Sequence, residues 1–247
     1  QEAGCGFVRE LTLETAVVLP EDDALQLQVT VGAADVDGSC EVAVYTRLES
    51  EGGGGWTRHA SGVVSAEQSV AGVPEGDRFE VWPPRGAVEL PVGGLYERLA
   101  GVGVEYGPSF RALRGVWRCG GEVFAEVEVP EVGVVDGFGV HPVLLDAALQ
   151  AWVLAGGGGG VRMPFVFSGV RLSAVGASRL RVRVAADGDG GVGVVGVDDA
   201  GVVVVSVGSV VTRPVDVETV RAWGRSVGLL GLEWVAAPSV LSGAGAG

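Results

Sequence analysis

The sequence of 247 residues contains no lysine, asparagine or isoleucine, so all 17 basic residues are arginines. These three amino acids have codons rich in A and T, and their absence indicates a gene of very high GC content. Two histidines are too few for a histidine-rich metal centre. The three cysteines, Cys5, Cys40 and Cys119, are too widely spaced for a disulfide framework or a zinc site. We therefore expect no metal, and a reducing compartment, the cytoplasm, is the expected location.

Long apolar segments and positive charge are also scarce. No apolar run reaches the roughly 18–20 residues needed to cross a bilayer, and no basic segment followed by an apolar one marks a secretory signal. The net charge is −14, which repels a phosphate backbone. We therefore expect no membrane and no nucleic-acid partner. Because the chain begins with Gln1 and its only methionine is Met163, we expect it to be part of a longer polypeptide.

Alternation of apolar and polar residues predicts strands along most of the chain. Leu25, Leu27, Val29 and Val31 alternate with polar residues, the period-two pattern of a half-buried strand. The first half is predicted to form a meander of strands over 8–19, 25–31, 42–46 and 56–64, followed by a proline-rich connector over 66–92. The second half is predicted to form another meander, with strands over 116–119, 122–129, 165–172, 180–185, 192–197 and 202–211.

Helices are predicted at three places, namely 91–99, 141–154 and 217–223. The second has the strongest signals: Pro142 suits a first helical turn, and a run of glycines ends the segment. Leu145, Leu149 and Trp152 form an apolar stripe at helical spacing. The first half has strands but no comparable helix, although a sheet with one apolar face must bury it. Either this one helix serves both sheets, or another helix lies upstream of Gln1, which is the alternative we favour.

A carboxylic acid and an amide occur together within this predicted helix. Asp146 and Gln150 are four residues apart, so they share a helix face and can form a hydrogen bond. Their neighbours are leucines and alanines, and a carboxyl group in such surroundings loses hydration. Its pKa then rises, so that it can hold a proton near neutral pH, as a general acid must. Alternatively, both side chains lie on the solvent side of an amphipathic helix, and the spacing alone leaves both interpretations open.

Several motifs occur in the order in which they are found in one known family. The segments that resemble the dehydratase domain of bacterial modular polyketide synthases are Tyr106-Gly107-Pro108 with Phe110, His141-Pro142, and Leu-Leu-Asp-Ala-Ala-Leu-Gln over 144–150. Further similar stretches lie at 56–62, 163–165 and 168–170, and the Leu-Glu-Trp at 232–234 resembles the linker to a following ketoreductase. The resemblance extends over about 8–234, nearly the whole chain.

This resemblance implies an α+β fold called a double hotdog, in which two curved antiparallel sheets wrap around central helices. The first hotdog is expected to be incomplete in this chain. The implied divisions are a first hotdog over 1–85, a linker and second hotdog carrying the Asp146 helix over 86–215, and a C-terminal helix and linker over 216–247.

The resemblance also implies a hydro-lyase reaction during polyketide chain extension. A 3-hydroxyacyl thioester on the phosphopantetheine arm of an acyl carrier protein loses water to give the 2,3-enoyl thioester. Asp146 is implied to protonate the departing hydroxyl group, and Gln150 is implied to orient Asp146. The residues implied to contact substrate are Tyr106, Gly107, Pro108, Phe110, His141, Pro142 and Leu145. No metal or soluble cofactor is implied, and the implied partners are the carrier protein, neighbouring synthase domains with a ketoreductase downstream, and a second copy in a homodimer.

The family's base is a histidine in an H-x-x-x-G-x-x-x-x-P motif, and this sequence does not contain that motif. His59 lies in a predicted strand, and the residues that follow it do not have the spacing of this motif. We interpret His141 as a helix-entry residue bonded to nearby backbone. The motif and the first helix are both expected upstream of Gln1. Three functions stay open: a dehydratase, a related isomerase or pyran-forming cyclase, and a catalytically silent structural module of the synthase.

Arg179, Arg181 and Arg183 alternate along one predicted strand. They could form a basic patch for an acidic carrier protein, or they could solvate an exposed sheet edge. The sequence does not decide between these two interpretations.

Overall fold

The computed structural model describes residues 5–20, 22–50, 55–66, 79–101, 104–130, 137–156 and 162–214. The strands of the first half are β1 (Phe7–Leu13), β2 (Leu25–Val31), β3 (Ser39–Leu48) and β4 (Thr57–Ser65). Those that follow are β5 (Val88–Leu90), β6 (Leu113–Cys119), β7 (Glu122–Glu128), β8 (Arg162–Leu172), β9 (Arg179–Ala186), β10 (Val192–Val197) and β11 (Val203–Pro214). The helices are α1 (Leu95–Gly101), the short 3-10 helix Pro108–Phe110 and α2 (Pro142–Leu154). No helix within the described ranges is long and apolar enough to span a membrane.

All of these strands belong to one antiparallel sheet in the order β2-β3-β4-β1-β8-β11-β10-β9-β7-β6-β5. The two expected sheets are therefore parts of one continuous sheet, which is joined where β1 pairs with β4 on one side and β8 on the other. The prediction of a meander is wrong in both halves. Strand β1 pairs with β4 rather than with β2, and β11 returns to pair with β8. Apolar alternation predicts that a segment is a strand but does not specify its partner.

Element boundaries differ from the prediction mainly where local backbone contacts intervene. Strand β1 ends at Leu13 instead of 19, where the amides of Glu14 and Thr15 both donate to the carbonyl of His59 and the regular pairing with β4 stops. Val17 and Val18 are 43% and 47% exposed, so the apolar run after Glu14 does not form the core. Helix α1 begins only at Leu95, after two glycines. The predicted helix at 217–223 lies outside the described residues.

The main hydrophobic core surrounds α2. The face of this helix formed by Val143, Leu144, Ala147, Ala148 and Ala151 is at most 1% exposed, because it packs against β6, β7 and β9. Buried valines of β10 and β11 belong to the same cluster. One helix wrapped by an antiparallel sheet is the hotdog arrangement expected for the second half. Among the described residues before Leu95 none is helical, and the apolar side chains of β2 are about half exposed.

The three arginines of β9 do not lie on a sheet edge, so that interpretation is wrong. Strand β9 is an interior strand, paired with β7 and with β10. Arg179 Nη2 lies 3.0 Å from Glu128 Oε1, and Arg183 forms an ion pair with Glu122. The guanidinium group of Arg181 lies 5.6 Å from the ring centre of Trp82. These arginines therefore contact side chains of the same domain, which reduces the positive charge they present to a partner.

Candidate active site

The start of α2 fixes where the acidic residue of this helix lies. His141 has extended backbone dihedral angles, φ −65° and ψ 128°, and its Nδ1 accepts a hydrogen bond from the Val143 amide at 3.3 Å. Pro142 occupies the first helical position, where a missing amide hydrogen costs nothing. His141 is thus the N-cap of α2, which confirms the prediction of a helix-entry residue bonded to nearby backbone. The helix consequently places Asp146 and Gln150 one turn apart along the same face.

This face of α2 borders a cavity of about 750 Å³. The helix contributes Asp146, Leu149, Gln150 and Trp152 to the cavity wall. The other walls come from α1, from Tyr106, from the start of β8 and from β11 with the β9–β10 turn. Residues of these walls include Leu95, Arg98, Leu99, Tyr106, Arg162, Met163, Pro164, Gly188, Gly190, Gly191, Val210 and Thr212. Apolar side chains and glycines dominate, so the few polar groups at the wall face little competing water.

Gln150 links the acid to its surroundings through hydrogen bonds. Its Nε2 donates to Asp146 Oδ2 at 2.7 Å and to the carbonyl oxygen of Phe110 at 3.1 Å. Its Oε1 accepts from the hydroxyl group of Tyr96 at 3.1 Å. The side chain is only 3% exposed, and both ends of its amide have partners. The hydrogen bond that the sequence spacing predicted between Asp146 and Gln150 is therefore present.

The surroundings favour the neutral forms of the ionisable groups at this wall. Burial raises the pKa of Asp146 above its ordinary value, and the hydrogen bond from Gln150 opposes that rise only in part. Burial also raises the pKa of Tyr106, and the nearby charge of Asp146 raises it further. A carboxyl group with this environment can hold a proton closer to neutral pH than an exposed aspartate can. This is the property required of a general acid.

The structure brings some of the predicted site residues to the cavity and leaves others away from it. Asp146, Gln150 and Tyr106 line it. The other predicted site residues also lie in described segments but are not part of the cavity wall. They are Gly107, Pro108, Phe110, His141, Pro142 and Leu145. Phe110 contributes its backbone carbonyl to Gln150, while the residue as a whole is 42% exposed. Leu145 packs against the core.

The two histidines also lie away from the wall within the described part of the chain. His59, on β4, is buried, with Nε2 2.7 Å from Thr46 Oγ1 and Nδ1 3.0 Å from the carbonyl oxygen of Thr15. His141 contacts the edge of Phe138, with ring centres 5.0 Å apart. No group of three His, Cys, Asp or Glu side chains among the described residues is arranged to hold a metal ion.

Several wall residues were not assigned from the sequence. Leu149 and Trp152 belong to the predicted apolar stripe, which by itself does not show whether a residue lines a cavity. Met163 and Pro164 belong to a segment that resembles the family, which was the available signal for them. Tyr96, which contacts Gln150 but is not a wall residue, carried no such signal, because it lies on another helix and is 54 residues from Gln150 in sequence.

Comparison with known proteins identifies the family. The family model described as the polyketide synthase dehydratase N-terminal domain matches residues 74–222, more than half of the chain. The polyketide synthase GfsE of Streptomyces halstedii is 44% identical over 246 residues, covering 95% of this chain and 6% of that protein. The chain thus spans only a small part of the curated relative.

Solved structures agree in fold. One, from work on dehydratase substrate selection in the borrelidin and fluvirucin polyketide synthases, has 44% identity and a TM-score of 0.79, covering 87% of this chain and 76% of that chain. Another, a bifunctional dehydratase-cyclase domain in ambruticin biosynthesis, has 36% identity and a TM-score of 0.78, covering 90% of this chain and 80% of that chain. These likenesses confirm the expected hotdog fold. The chain belongs to the polyketide synthase dehydratase family.

Proposed function

We propose that the chain dehydrates a 3-hydroxyacyl thioester carried on the phosphopantetheine arm of an acyl carrier protein, giving the 2,3-enoyl thioester. The observation that carries this proposal is Asp146, a carboxyl group with a raised pKa at the wall of a largely apolar cavity. The hydrogen bond from Gln150 holds one of its oxygens, Oδ2. The proposal includes no metal and no soluble cofactor, because acid–base chemistry alone suffices for this elimination.

In the proposed reaction, protonated Asp146 donates its proton to the 3-hydroxyl group as the C3–O bond breaks. The electron pair of the C2–H bond becomes the new C2=C3 double bond, and water leaves with the proton from Asp146. Gln150 occupies Oδ2, so Oδ1 is the oxygen that carries the proton toward the substrate. We assign removal of the C2 proton to the family's histidine motif, which this sequence does not contain. The reaction is therefore proposed for the chain within its synthase.

The test is intact-mass measurement of a 3-hydroxyacyl carrier protein after incubation with the synthase polypeptide that contains this chain. We expect loss of one water. Asp146→Asn should slow this loss by about 10²–10⁴-fold, the usual contribution of a general acid. Asp199→Asn, which makes the same change at an exposed turn, is the matched control and should retain the rate. Equal rates for Asp146→Asn and the parent would contradict the assignment of Asp146.

A second candidate function is ring closure after dehydration, which the likeness to the dehydratase-cyclase domain favours. In that reaction a hydroxyl group farther along the acyl chain loses its proton and bonds to C3 of the enoyl thioester, and C2 gains a proton. Mass does not change in this step, but the ultraviolet absorption of the conjugated enoyl thioester disappears. A substrate with such a hydroxyl group therefore distinguishes the two reactions. No change with any substrate would instead favour the silent structural module.

A further inference from the structure

Tyr96, on α1, contacts Gln150, which is the hydrogen-bond partner of Asp146. Its hydroxyl group donates to Gln150 Oε1 at 3.1 Å. Its ring lies edge-on to the ring of Tyr106, with centres 5.9 Å apart, and the guanidinium group of Arg111 lies 5.2 Å from its ring centre. The ring is thus held by two neighbours, and its hydroxyl group has a fixed direction toward Gln150.

The hydrogen bonds around Gln150 require one orientation of its amide. The carboxylate of Asp146 and the carbonyl of Phe110 are both acceptors, so they need the NH₂ group, which carries two donors. The amide oxygen then faces the Tyr96 hydroxyl group, which is a donor. If the amide turned by half a rotation, its oxygen would face two acceptor oxygens in a buried place. Such unsatisfied buried groups are costly, and in the observed orientation the Tyr96 hydroxyl group gives the amide oxygen its partner.

We infer that Tyr96 is a positioning residue for Asp146, because its hydroxyl group holds the Gln150 amide with Nε2 toward Asp146 Oδ2 and leaves Oδ1 to carry the proton. This inference rests on the proposed function for its catalytic meaning. It also makes a prediction about protonation that can be measured without turnover.

Without the Tyr96 hydroxyl group, the Gln150 amide is less well held and donates less effectively to the charged form of Asp146. The pKa of Asp146 should therefore rise further, because that donation is what lowers it. The other ionisable groups at this wall are Arg98, Tyr106 and Arg162. The pKa values of Tyr106 and of Tyr96 are both raised, mainly through burial. A backbone hydrogen bond with Leu113, followed by the charges of Arg111 and Arg114, lowers the pKa of Tyr96 and so opposes this rise.

The first experiment is Tyr96→Phe in the mass assay described above, with kcat and KM measured separately. We expect kcat to fall about tenfold, the usual effect of losing one hydrogen bond in an active site, with KM nearly unchanged. Tyr45→Phe is the matched control, because it removes the same hydroxyl group from a tyrosine of β3 outside the cavity wall, and its kcat should stay at the parent value. A Tyr96→Phe enzyme with unchanged kcat would overturn the inference.

A double-mutant cycle tests whether Tyr96 acts through Gln150. Gln150→Leu puts an apolar side chain of similar size in this place and removes all three hydrogen bonds of the amide. We expect Tyr96→Phe to have no further effect on kcat in the Gln150→Leu background. If the two effects multiply instead, the Tyr96 hydroxyl group acts through a contact other than Gln150 and the inference is wrong.

The protonation of Asp146 can be followed directly by NMR of the chain labelled with ¹³C at the aspartate carboxyl carbon. Asp146→Asn identifies the resonance. We expect it to titrate at higher pH in Tyr96→Phe than in the parent and to be unchanged in Tyr45→Phe. An unshifted titration would overturn the inference. If the synthase shows no dehydration, the proposed function fails, while this titration still decides whether Tyr96 orients the Gln150 amide.

Discussion

At the scale of single residues, Asp146 shows how a proposed catalytic group affects stability. Burial raises its pKa in the folded protein above the value of an exposed aspartate, so the folded state binds this proton more tightly than the unfolded state does. As pH rises above the unfolded value, ionisation of this group therefore favours unfolding. The loss continues until pH passes the folded pKa and is constant beyond it.

Asp146→Asn should consequently stabilise the protein, and more so as pH rises. The substituted amide has no charge to bury and can still accept a hydrogen bond from Gln150. Urea unfolding of both proteins between about pH 4 and about pH 8 measures this difference. We expect the advantage of the Asn variant to increase with pH over that range. If the stability advantage of Asp146→Asn is constant or decreases with pH, the surroundings do not disfavour the charged form of Asp146.

Residue contacts within one helix could be predicted from the sequence, but contacts between helices could not. The bond between Asp146 and Gln150 follows from a spacing of four residues, and the cap at His141 follows from the adjacent Pro142. Tyr96 meets Gln150 only because α1 and α2 pack beside the same cavity. A sequence of one protein carries no local signal for that approach, so this part of the site required the structure.

At the scale of elements, β1 holds the sheet together. It pairs with β4 on one side, where Val8 lies opposite Val64, and with β8 on the other, so the strands of the first half join the second half through it. The register between β1 and β4 shifts between Val8 and Glu10. Near this irregularity Gly62 of β4 lies so close to β1 that an added Cβ would meet the Glu10 carbonyl oxygen, and Leu11 Cα at 2.9 Å.

Gly62→Ala should therefore push β1 away from β4. The contact involves backbone atoms, which cannot move aside as a flexible side chain can, and we expect a loss of about 1–3 kcal/mol in the free energy of unfolding. Chemical denaturation followed by circular dichroism measures this loss. Gly6→Ala is the control, because an added Cβ there meets nothing within 4 Å. Equal stability of the two variants would contradict the close approach of β1 and β4.

Strand existence could be predicted more completely than strand pairing. The segments that became β2, β4, β9 and β10 were predicted to within about a residue at most ends, because their alternating pattern is local. The pairing of β11 with β8 joins segments separated by two intervening strands. That choice depends on how the sheet wraps around α2, which no local pattern encodes.

At the scale of the whole molecule, the net charge of −14 reflects an excess of carboxylates, and these lie in different environments. Hydrogen bonds from Ser39, together with Arg9, lower the pKa of Asp37, and Arg179 and Arg114 lower that of Glu128. Hydrogen bonds from Ser61 and, with a smaller effect, from Arg58 lower the pKa of Glu14. These groups oppose Asp146 in sign, since the folded state binds their protons less tightly than the unfolded state does.

The protein should therefore lose stability on acidification below about pH 4, near the ordinary pKa values of these carboxylates. Their stabilising contribution is present above the unfolded pKa and disappears as pH falls through the lower folded values. Glu128→Gln should make the decline less steep, because it removes a carboxylate that contacts two arginines. Urea midpoints measured from about pH 6 to about pH 3 give the slope, and Glu89→Gln is the control, since Glu89 has no arginine partner among the described residues. Parallel curves for the parent and Glu128→Gln would show that this ion-pair group contributes nothing to acid sensitivity.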